Sequence, residues 1–124
     1  MRVLLSIKPE FANKIFNGEK KFEFRRSIFK NTAVKKIVVY ASSPVQKVIG
    51  EFEIDCIVHE DIERLWEITA KHAGISKDYF NEYFIDKDRG FAIKIKNVRK
   101  YKVPQCIVDY KVTPPQSFLY LNRA

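Results

Sequence analysis

The sequence has no long apolar stretch and only two cysteines. A helix that crosses a bilayer needs about 20 consecutive apolar residues, and the opening segment reaches Lys8 and Pro9 long before that length. We therefore expect neither a membrane span nor a signal peptide. Cys56 and Cys106 lie 50 residues apart without a C-x-x-C pair, which excludes a zinc-ribbon spacing and a disulfide framework. This predicts two buried thiols in a cytoplasmic protein that uses no metal and no cofactor.

Aromatic residues and charges are abundant instead. The 124 residues are 46% hydrophobic and 14% aromatic, which is enough for one domain, residues 1–124, to build a core without cross-links. The net charge of +8 is unevenly distributed: residues 1–50 carry net +8, residues 51–89 net −6 and residues 90–124 net +6. If the two ends share a sheet, the protein has a cationic side that attracts polyanions. A solubilising surface without a partner is the alternative.

The first 26 residues change their hydrophobic period twice. An alternating segment at 2–8 predicts a strand, and Pro9 then fits the first turn of a helix whose apolar residues continue at helical spacing. Gly18 fits a left-handed helix stop. From position 20 to 26 the period becomes two, which predicts a second strand. The charged face that this strand would present to solvent consists of Lys21, Glu23 and Arg25.

The remaining chain mixes strand and helix patterns. The predicted elements are an antiparallel pair of strands at 34–40 and 47–58, helices at 60–73 and after Ser76, and strands at 91–101, 106–110 and 118–121. This order indicates an α+β fold, in which a small mixed β-barrel carries an early short helix and an inserted helical pair.

The densest polar cluster lies in residues 18–26. Glu23 and Arg25 are two positions apart, so they share one face of the predicted strand. An acid between two cations stays ionised and holds the guanidinium in place, which leaves donors for a phosphate or a base edge. A solvated face whose charges pair for solubility is the alternative interpretation.

The order Gly18-x-Lys20-x-x-Glu23-x-Arg25 resembles the G-x-K-x-x-E-x-R signature of ASCH domains, which belong to the PUA-like fold group. Five further blocks resemble the stand-alone prokaryotic and phage ASCH proteins, in the same order across nearly the whole chain. They are Ser6-Ile7-Lys8-Pro9, Tyr40-Ala41-Ser42-Ser43-Pro44, Val48-Ile49-Gly50-Glu51-Phe52, Leu65-Trp66 and Pro114-Pro115-Gln116-Ser117-Phe118. The resemblance implies a PUA-like β-barrel, a cleft lined by the signature residues, and relatives that handle RNA or modified nucleobases.

Some ASCH relatives remove an acyl group from acetylated cytidine, and this chain resembles them at Lys20 and Arg25. They carry a threonine nucleophile where this chain has Glu23, and a carboxylate cannot replace an activated hydroxyl. Glu23 would instead act as a general base beside Lys20, although we expect a close ion pair to lower its pKa and weaken it as a base. Ribonuclease activity, which the resemblance also implies, would need the same Lys20, Glu23 and Arg25.

Other residues are candidates for the rim of the cleft. Gln116 and Ser117 follow the rigid Pro114-Pro115, and an amide beside a hydroxyl suits reading a base edge. Tyr40, at a strand end, suits stacking on an unpaired base. Lys8, Ser42, Ser43 and Glu51 are further candidates, each of which is otherwise an ordinary surface or turn residue.

The leading hypothesis is a regulatory binding module for RNA or a modified nucleotide. Its pocket would consist of Lys8, Lys20, Glu23, Arg25 and Gln116, while the basic strands track phosphates. The alternative is a hydrolase that acts on a nucleoside amide or on RNA phosphodiesters through Lys20 and Glu23. A third hypothesis is transcription-linked regulation through DNA or a protein partner, which the acidic segment 60–88 could dock; no basic helix-turn-helix recognition helix supports it.

Overall fold

Six strands form one mixed sheet in the computed structural model, which describes residues 1–115 and 117–121. The strands are β1 (Arg2–Ile7), β2 (Phe22–Arg25), β3 (Lys36–Ala41), β4 (Lys47–Asp61), β5 (Arg89–Gln105) and β6 (Phe118–Leu121). The α-helices are α1 (Pro9–Phe16), α2 (Ile62–Thr69) and α3 (Lys77–Tyr83), with 3₁₀ turns at Ala70–His72 and Ile107–Tyr110. The sheet order is β2-β5-β4-β3-β1-β6, in which β1 and β3 are parallel and the other neighbours antiparallel.

The structure confirms the mixed α+β class and most predicted elements. The predicted antiparallel pair is β3 with β4, and the Ser76 hydroxyl caps α3 by accepting a hydrogen bond from the Tyr79 backbone N–H at 3.0 Å. The predicted strand at 106–110 is wrong, because β5 leaves the sheet at Gln105 and the chain then makes a 3₁₀ turn that ends at Lys111, with φ of 56°. Closure into a barrel stays a prediction, since β2 and β6 are the two edges of the sheet and do not pair within the described residues.

Two clusters of buried apolar side chains pack against the sheet. One lies on the sheet face that α1 covers and includes Val3, Ile37, Phe52 and Ile93. The other joins β2 to α2 and α3 through the rings of Phe24, Phe80 and Phe84, whose centroids lie 4.9 to 6.1 Å apart in edge-to-face geometry. Each fully buried ring contributes about 1.5–3 kcal/mol. Strand β2, at one edge of the sheet, is therefore covered by the helical pair.

The predicted burial of the cysteines is wrong, because Cys56 and Cys106 are both exposed. Cys56 lies opposite Lys94 on the long β4–β5 ribbon, and Cys106 follows the end of β5, where its Sγ lies 3.0 Å from Lys47 Nζ. No helix in the described ranges is long and apolar enough to cross a membrane.

Candidate functional site

A cavity of about 510 Å³ opens between the end of β1, strand β2 and helix α3. The structure places seven of the sequence-predicted residues in its wall: Lys8, Lys20, Glu23, Arg25, Tyr40, Ser42 and Ser43. Sequence analysis missed Phe11, Tyr79 and Pro115 as parts of the same wall. A volume of this size is in the range of small-molecule sites. The binding role of each residue stays a prediction.

Lys20 lies deep in the cavity wall and is 2% exposed. Its Nζ donates a hydrogen bond to the Ala73 carbonyl oxygen at 2.7 Å and lies 4.8 Å from the centre of the Phe24 ring. Burial lowers the pKa of Lys20 to about 8, although the Glu23 charge opposes this shift. An amine with this pKa exchanges a proton close to neutral pH, as general acids do.

Gly74 makes room for the Lys20 side chain. Its φ is +69°, and a Cβ at this position would lie 2.5 Å from Cβ and Cγ of Lys20. Only glycine adopts this backbone conformation without strain and leaves space for the lysine stem. The glycine therefore holds the loop after α2 against Lys20, which positions the Ala73 carbonyl as its hydrogen-bond acceptor.

Glu23 is 7% exposed, so the predicted solvated face of β2 is wrong. The helices cover Phe22 and Phe24, and Glu23 lines the cavity, whose other walls include Tyr83 of α3 and Pro115. Burial raises the pKa of Glu23, and the charges of Lys20 and Arg25 offset only part of that rise. The expectation that ion pairing lowers this pKa is therefore wrong in direction, because desolvation exceeds the effect of the pairing.

Arg25 connects the Glu23 carboxylate to the segment that leads into β6. Its Nη1 lies 3.5 Å from Glu23 Oε2, and its Nη2 donates a hydrogen bond to Ser117 Oγ at 2.6 Å. The guanidinium has five N–H donors, so these two contacts leave donors for an anion in the cavity. Ser6 fixes the same C-terminal segment, since its Oγ donates to the Pro115 carbonyl oxygen.

Aromatic rings form the opposite side of the cavity. Tyr79 packs edge-to-face on Phe11 with centroids 5.1 Å apart, and Lys8 Nζ donates to the Tyr79 hydroxyl at 3.2 Å. Tyr83, one turn later on α3, donates its hydroxyl to the Phe24 carbonyl oxygen. Tyrosines four positions apart on one helix face were a signal in the sequence that could have identified this wall.

The remaining predicted residues take different positions. Tyr40 lines the cavity but is 4% exposed and packs in an apolar cluster with Leu4 and Val38, so little of its ring is open for stacking. Gln116 lies outside the described residues. Glu51 is not part of the cavity wall; it binds Lys36 and Tyr101 on another part of the sheet. In the described ranges, no three His, Cys, Asp or Glu side chains are grouped to bind a metal ion.

The comparisons with known proteins agree over nearly the whole chain. The family model described as "Domain of unknown function (DUF365)" matches residues 1–114. The ASCH domain-containing ribonuclease of Zymomonas mobilis is 31% identical over 124 residues, which span 97% of this chain and 84% of that protein. Large ribosomal subunit protein uL22 of Ureaplasma parvum is 32% identical over 125 residues. This chain spans 39% of that ribosomal protein, or about two fifths of its length.

Solved structures show the same architecture. The crystal structure of ASCH from Zymomonas mobilis has a TM-score of 0.90 and 30% identity, and the match covers 98% of this chain and 88% of that chain. A tyrosine-to-phenylalanine variant of that protein has a TM-score of 0.91 at 29% identity, with 98% and 91% covered. The N-terminal domain of Staphylothermus marinus McrB, with a TM-score of 0.52 and 19% identity over 89% of this chain and 78% of its own, shows a likeness in fold alone.

Proposed function

Because this chain belongs to the DUF365 family and is an ASCH-domain protein of the PUA-like fold, we propose that its cavity binds one nucleotide of an RNA strand and cleaves the adjacent phosphodiester bond. The observation that carries the proposal is the pair of buried charged groups, Lys20 and Glu23, beside the partly buried Arg25 in the wall of the cavity. Titratable groups with shifted pKa values in a concave site are typical of catalytic sites.

The relatives support a function on RNA. The Zymomonas mobilis protein that matches nearly the whole chain is named a ribonuclease. Two variants of it were crystallised, one with a tyrosine replaced by phenylalanine and one with a serine replaced by alanine. This chain also has a tyrosine and serines at the site. Tyr40 and Ser42 line the cavity, and Ser117 accepts a hydrogen bond from Arg25.

Binding would use charge and ring contacts together. Lys8 and Arg25 line the cavity as donors for a phosphate, and the Tyr79 and Phe11 rings offer faces and edges to a base. Stacking on an aromatic side chain contributes about 1–3 kcal/mol per base and tolerates any sequence. Affinity for a single strand should fall with salt at a log–log slope of about −0.7 per phosphate contacted.

The pKa directions fit a paired acid and base. The ribose 2′-oxygen attacks phosphorus while its proton passes to the Glu23 carboxylate, whose raised pKa makes it a stronger base. The bond from phosphorus to the 5′-oxygen breaks, and the Lys20 ammonium, with its pKa of about 8, gives that oxygen a proton. The products are a 2′,3′-cyclic phosphate and a free 5′-hydroxyl. Arg25 stabilises the charge that develops on the phosphoryl oxygens.

Cleavage of a labelled 12-nucleotide single-stranded RNA tests this proposal. We expect Lys20→Met to lower the rate about 10²-fold or more, because one general acid contributes about 10²–10⁴-fold. Lys21→Met is the matched control, since Lys21 is adjacent but exposed, and should stay within about twofold of wild type. RNA with 2′-deoxyribose at the cleaved position should resist cleavage. Equal rates for both lysine variants would contradict the proposed role of Lys20.

Binding without turnover is the second candidate function. The observation in its favour is the low exposure of both proposed proton carriers, 2% for Lys20 and 7% for Glu23, which restricts their contact with a phosphodiester. Wild-type protein that binds the 12-nucleotide RNA, leaves it intact from pH 6 to 9 and loses affinity on Arg25→Ala would support this candidate. Acetylated cytidine and single-stranded DNA, in parallel reactions, would test hydrolysis of a nucleoside amide and selectivity for RNA.

A further inference from the structure

A second concave surface lies away from the cavity, on the far half of the β4–β5 ribbon. This groove has a volume of about 500 Å³ and is lined by Arg99, Lys100, Tyr101, Lys102, Val103 and Gln105. None of these residues lines the first cavity. Three cations and one tyrosine therefore surround a depression that the proposed catalytic residues do not reach.

Strand register explains why the groove exists. Gly50 pairs with Lys100, and Val48 pairs with Gln105. Between these two pairs β5 advances by five residues and β4 by only two. The extra residues cannot pair in the ladder and bulge out of the sheet. Gly50 permits the close approach of β5, since a Cβ there would lie 2.6 Å from the Arg99 carbonyl oxygen. The cationic side chains of this irregular segment, Arg99, Lys100 and Lys102, are all exposed.

The groove is held in shape by a buried carboxylate. The Tyr101 hydroxyl donates to Glu51 Oε1 at 2.8 Å, and Lys36 Nζ binds Glu51 Oε2 at 2.9 Å. The Arg99 guanidinium lies 5.3 Å from the centre of the Tyr101 ring, within the range of a cation–π contact. Tyr101 and Arg99 are thus positioned before any ligand binds, which reduces the entropy lost on binding.

The two lysines that line the groove are exposed and have no ion-pair partner among the described residues. Lys100 and Lys102 are both exposed, and in residues 1–115 and 117–121 the ion pairs of β5 involve Lys94 alone, at 3.6 Å from Asp55. Exposed, unpaired cations in a row attract a polyanion and release its counterions. A protein surface would have to supply acids at matching positions, whereas a phosphodiester chain supplies one charge per nucleotide.

We propose that this groove binds the sugar–phosphate backbone of the same single-stranded RNA whose nucleotide enters the cavity; this inference rests on the proposed function. Arg25 lies opposite Phe91 on β5, and Lys100 is nine positions after Phe91 in the sequence. At about 3.3 Å per residue this separation is at most about 30 Å. A mononucleotide therefore reaches the cavity only, while a longer strand reaches both surfaces.

The test compares RNAs of two lengths on full-length variants. The groove variant is Lys100→Gln/Lys102→Gln, and its matched control is Lys71→Gln/Lys77→Gln, which removes two exposed lysines from the helical segment. Binding of the four nucleoside 5′-monophosphates and of a mixed-sequence 12-nucleotide RNA is measured from 50 to 300 mM salt. Thermal unfolding of each variant establishes that it is folded.

We expect the groove variant to weaken binding of the 12-nucleotide RNA and to reduce its salt slope by about 1.4, since two phosphate contacts are lost. Its affinity for mononucleotides should not change, and the control variant should match wild type. Equal salt slopes for the groove and control variants would overturn the inference and leave the proposed cavity function standing. Arg25→Ala should weaken both ligands. Absence of RNA binding by the wild type would overturn the proposed function and the inference together.

Discussion

Two glutamates with nearly the same exposure differ in the direction of their pKa shift. Glu23 is 7% exposed and Glu51 8% exposed, and both lie on strands. Burial raises the pKa of Glu23. Burial acts on Glu51 in the same direction, but hydrogen bonds from Lys36 and Tyr101, with the charges of Lys36 and Arg99, hold the pKa of Glu51 below its ordinary value. Exposure alone therefore does not decide how a carboxyl titrates.

Direct partners account for the difference. Glu51 receives two short contacts, at 2.8 and 2.9 Å, and its partner Lys36 is still 39% exposed, so the pair lies close to solvent. Among the described residues, the Glu23 carboxylate has one side-chain contact, at 3.5 Å, to an arginine that also binds Ser117. A carboxylate with satisfied oxygens stabilises the fold, whereas one with few partners keeps its capacity to accept a proton. We infer that Glu51 is structural and Glu23 functional.

Replacing each glutamate by glutamine should separate these roles most clearly. Glu23→Gln should lower cleavage of a dinucleotide about 10²–10⁴-fold and leave the free energy of unfolding at pH 7 unchanged or higher, because a poorly compensated buried charge is removed. Glu51→Gln should lower the free energy of unfolding by about 1–3 kcal/mol and leave dinucleotide cleavage within a few-fold. Initial rates and urea titrations measure both. Similar losses of activity in the two variants would contradict the assignment.

The titration of Lys20 should appear in stability at alkaline pH. Its pKa is about 8 in the folded protein against an ordinary value of 10.5, so the unfolded chain binds more protons between these values. The free energy of unfolding of wild type, relative to Lys20→Met, should therefore rise by about 3 kcal/mol as pH increases from 8 to 10.5. Urea unfolding over this range measures it, and the exposed Lys21→Met is the control. A pH-independent difference would show that Lys20 is not desolvated.

Two glycine substitutions test how Lys20 is positioned. Gly18 and Gly74 both have positive φ, but a Cβ at Gly18 would meet nothing within 4 Å, whereas one at Gly74 would meet Lys20. Both Gly→Ala variants should lose about 1–2 kcal/mol from backbone strain. Gly74→Ala should lose about 1–2 kcal/mol more from overpacking and should also slow cleavage. Urea unfolding and initial rates would contradict this view if the two variants behaved alike.

Removing one hydroxyl should give the smallest effect. Tyr101→Phe deletes the donor to Glu51 and should lower the free energy of unfolding by about 1 kcal/mol at neutral pH. Because the pKa of Glu51 is lowered in the folded protein, this contribution is present above the ordinary pKa of the carboxyl. It should decline as pH falls and Glu51 becomes protonated. Urea unfolding at pH 7 and pH 3 tests both expectations; an unchanged value at pH 7 would mean that the hydroxyl does not stabilise Glu51.

The sequence pattern was sufficient to predict those strands and helices that depend on residues close together in the chain. The alternation of residues 20–26 placed Glu23 and Arg25 on one face of a strand, and the structure brings them together. The pattern could not show what covers that face. The cover comes from α3 and from Pro115 and Ser117, which are separated from β2 by dozens of residues. The sign of the Glu23 pKa shift depends on this cover, so it was predicted wrongly.

The groove on β5 was beyond sequence reasoning for a related reason. Its shape depends on a register in which five steps of β5 oppose two of β4. Alternation indicates that residues 91–101 form a strand, but it does not say which residues of the partner they face. The exposure of Cys56, opposite Lys94 on the same ribbon, was mispredicted because the extent of helix cover over a long strand is a tertiary property.

The hydrogen bond from Arg25 to Ser117 has a wider consequence. It connects β2 to the segment that leads into β6, and these two edge strands share no backbone ladder in the described ranges. The cavity thus lies where two edges of the sheet are joined without backbone pairing. Substitutions at such a junction change the side chains that line the cavity without disturbing backbone pairing. One fold could therefore carry different sites at this position.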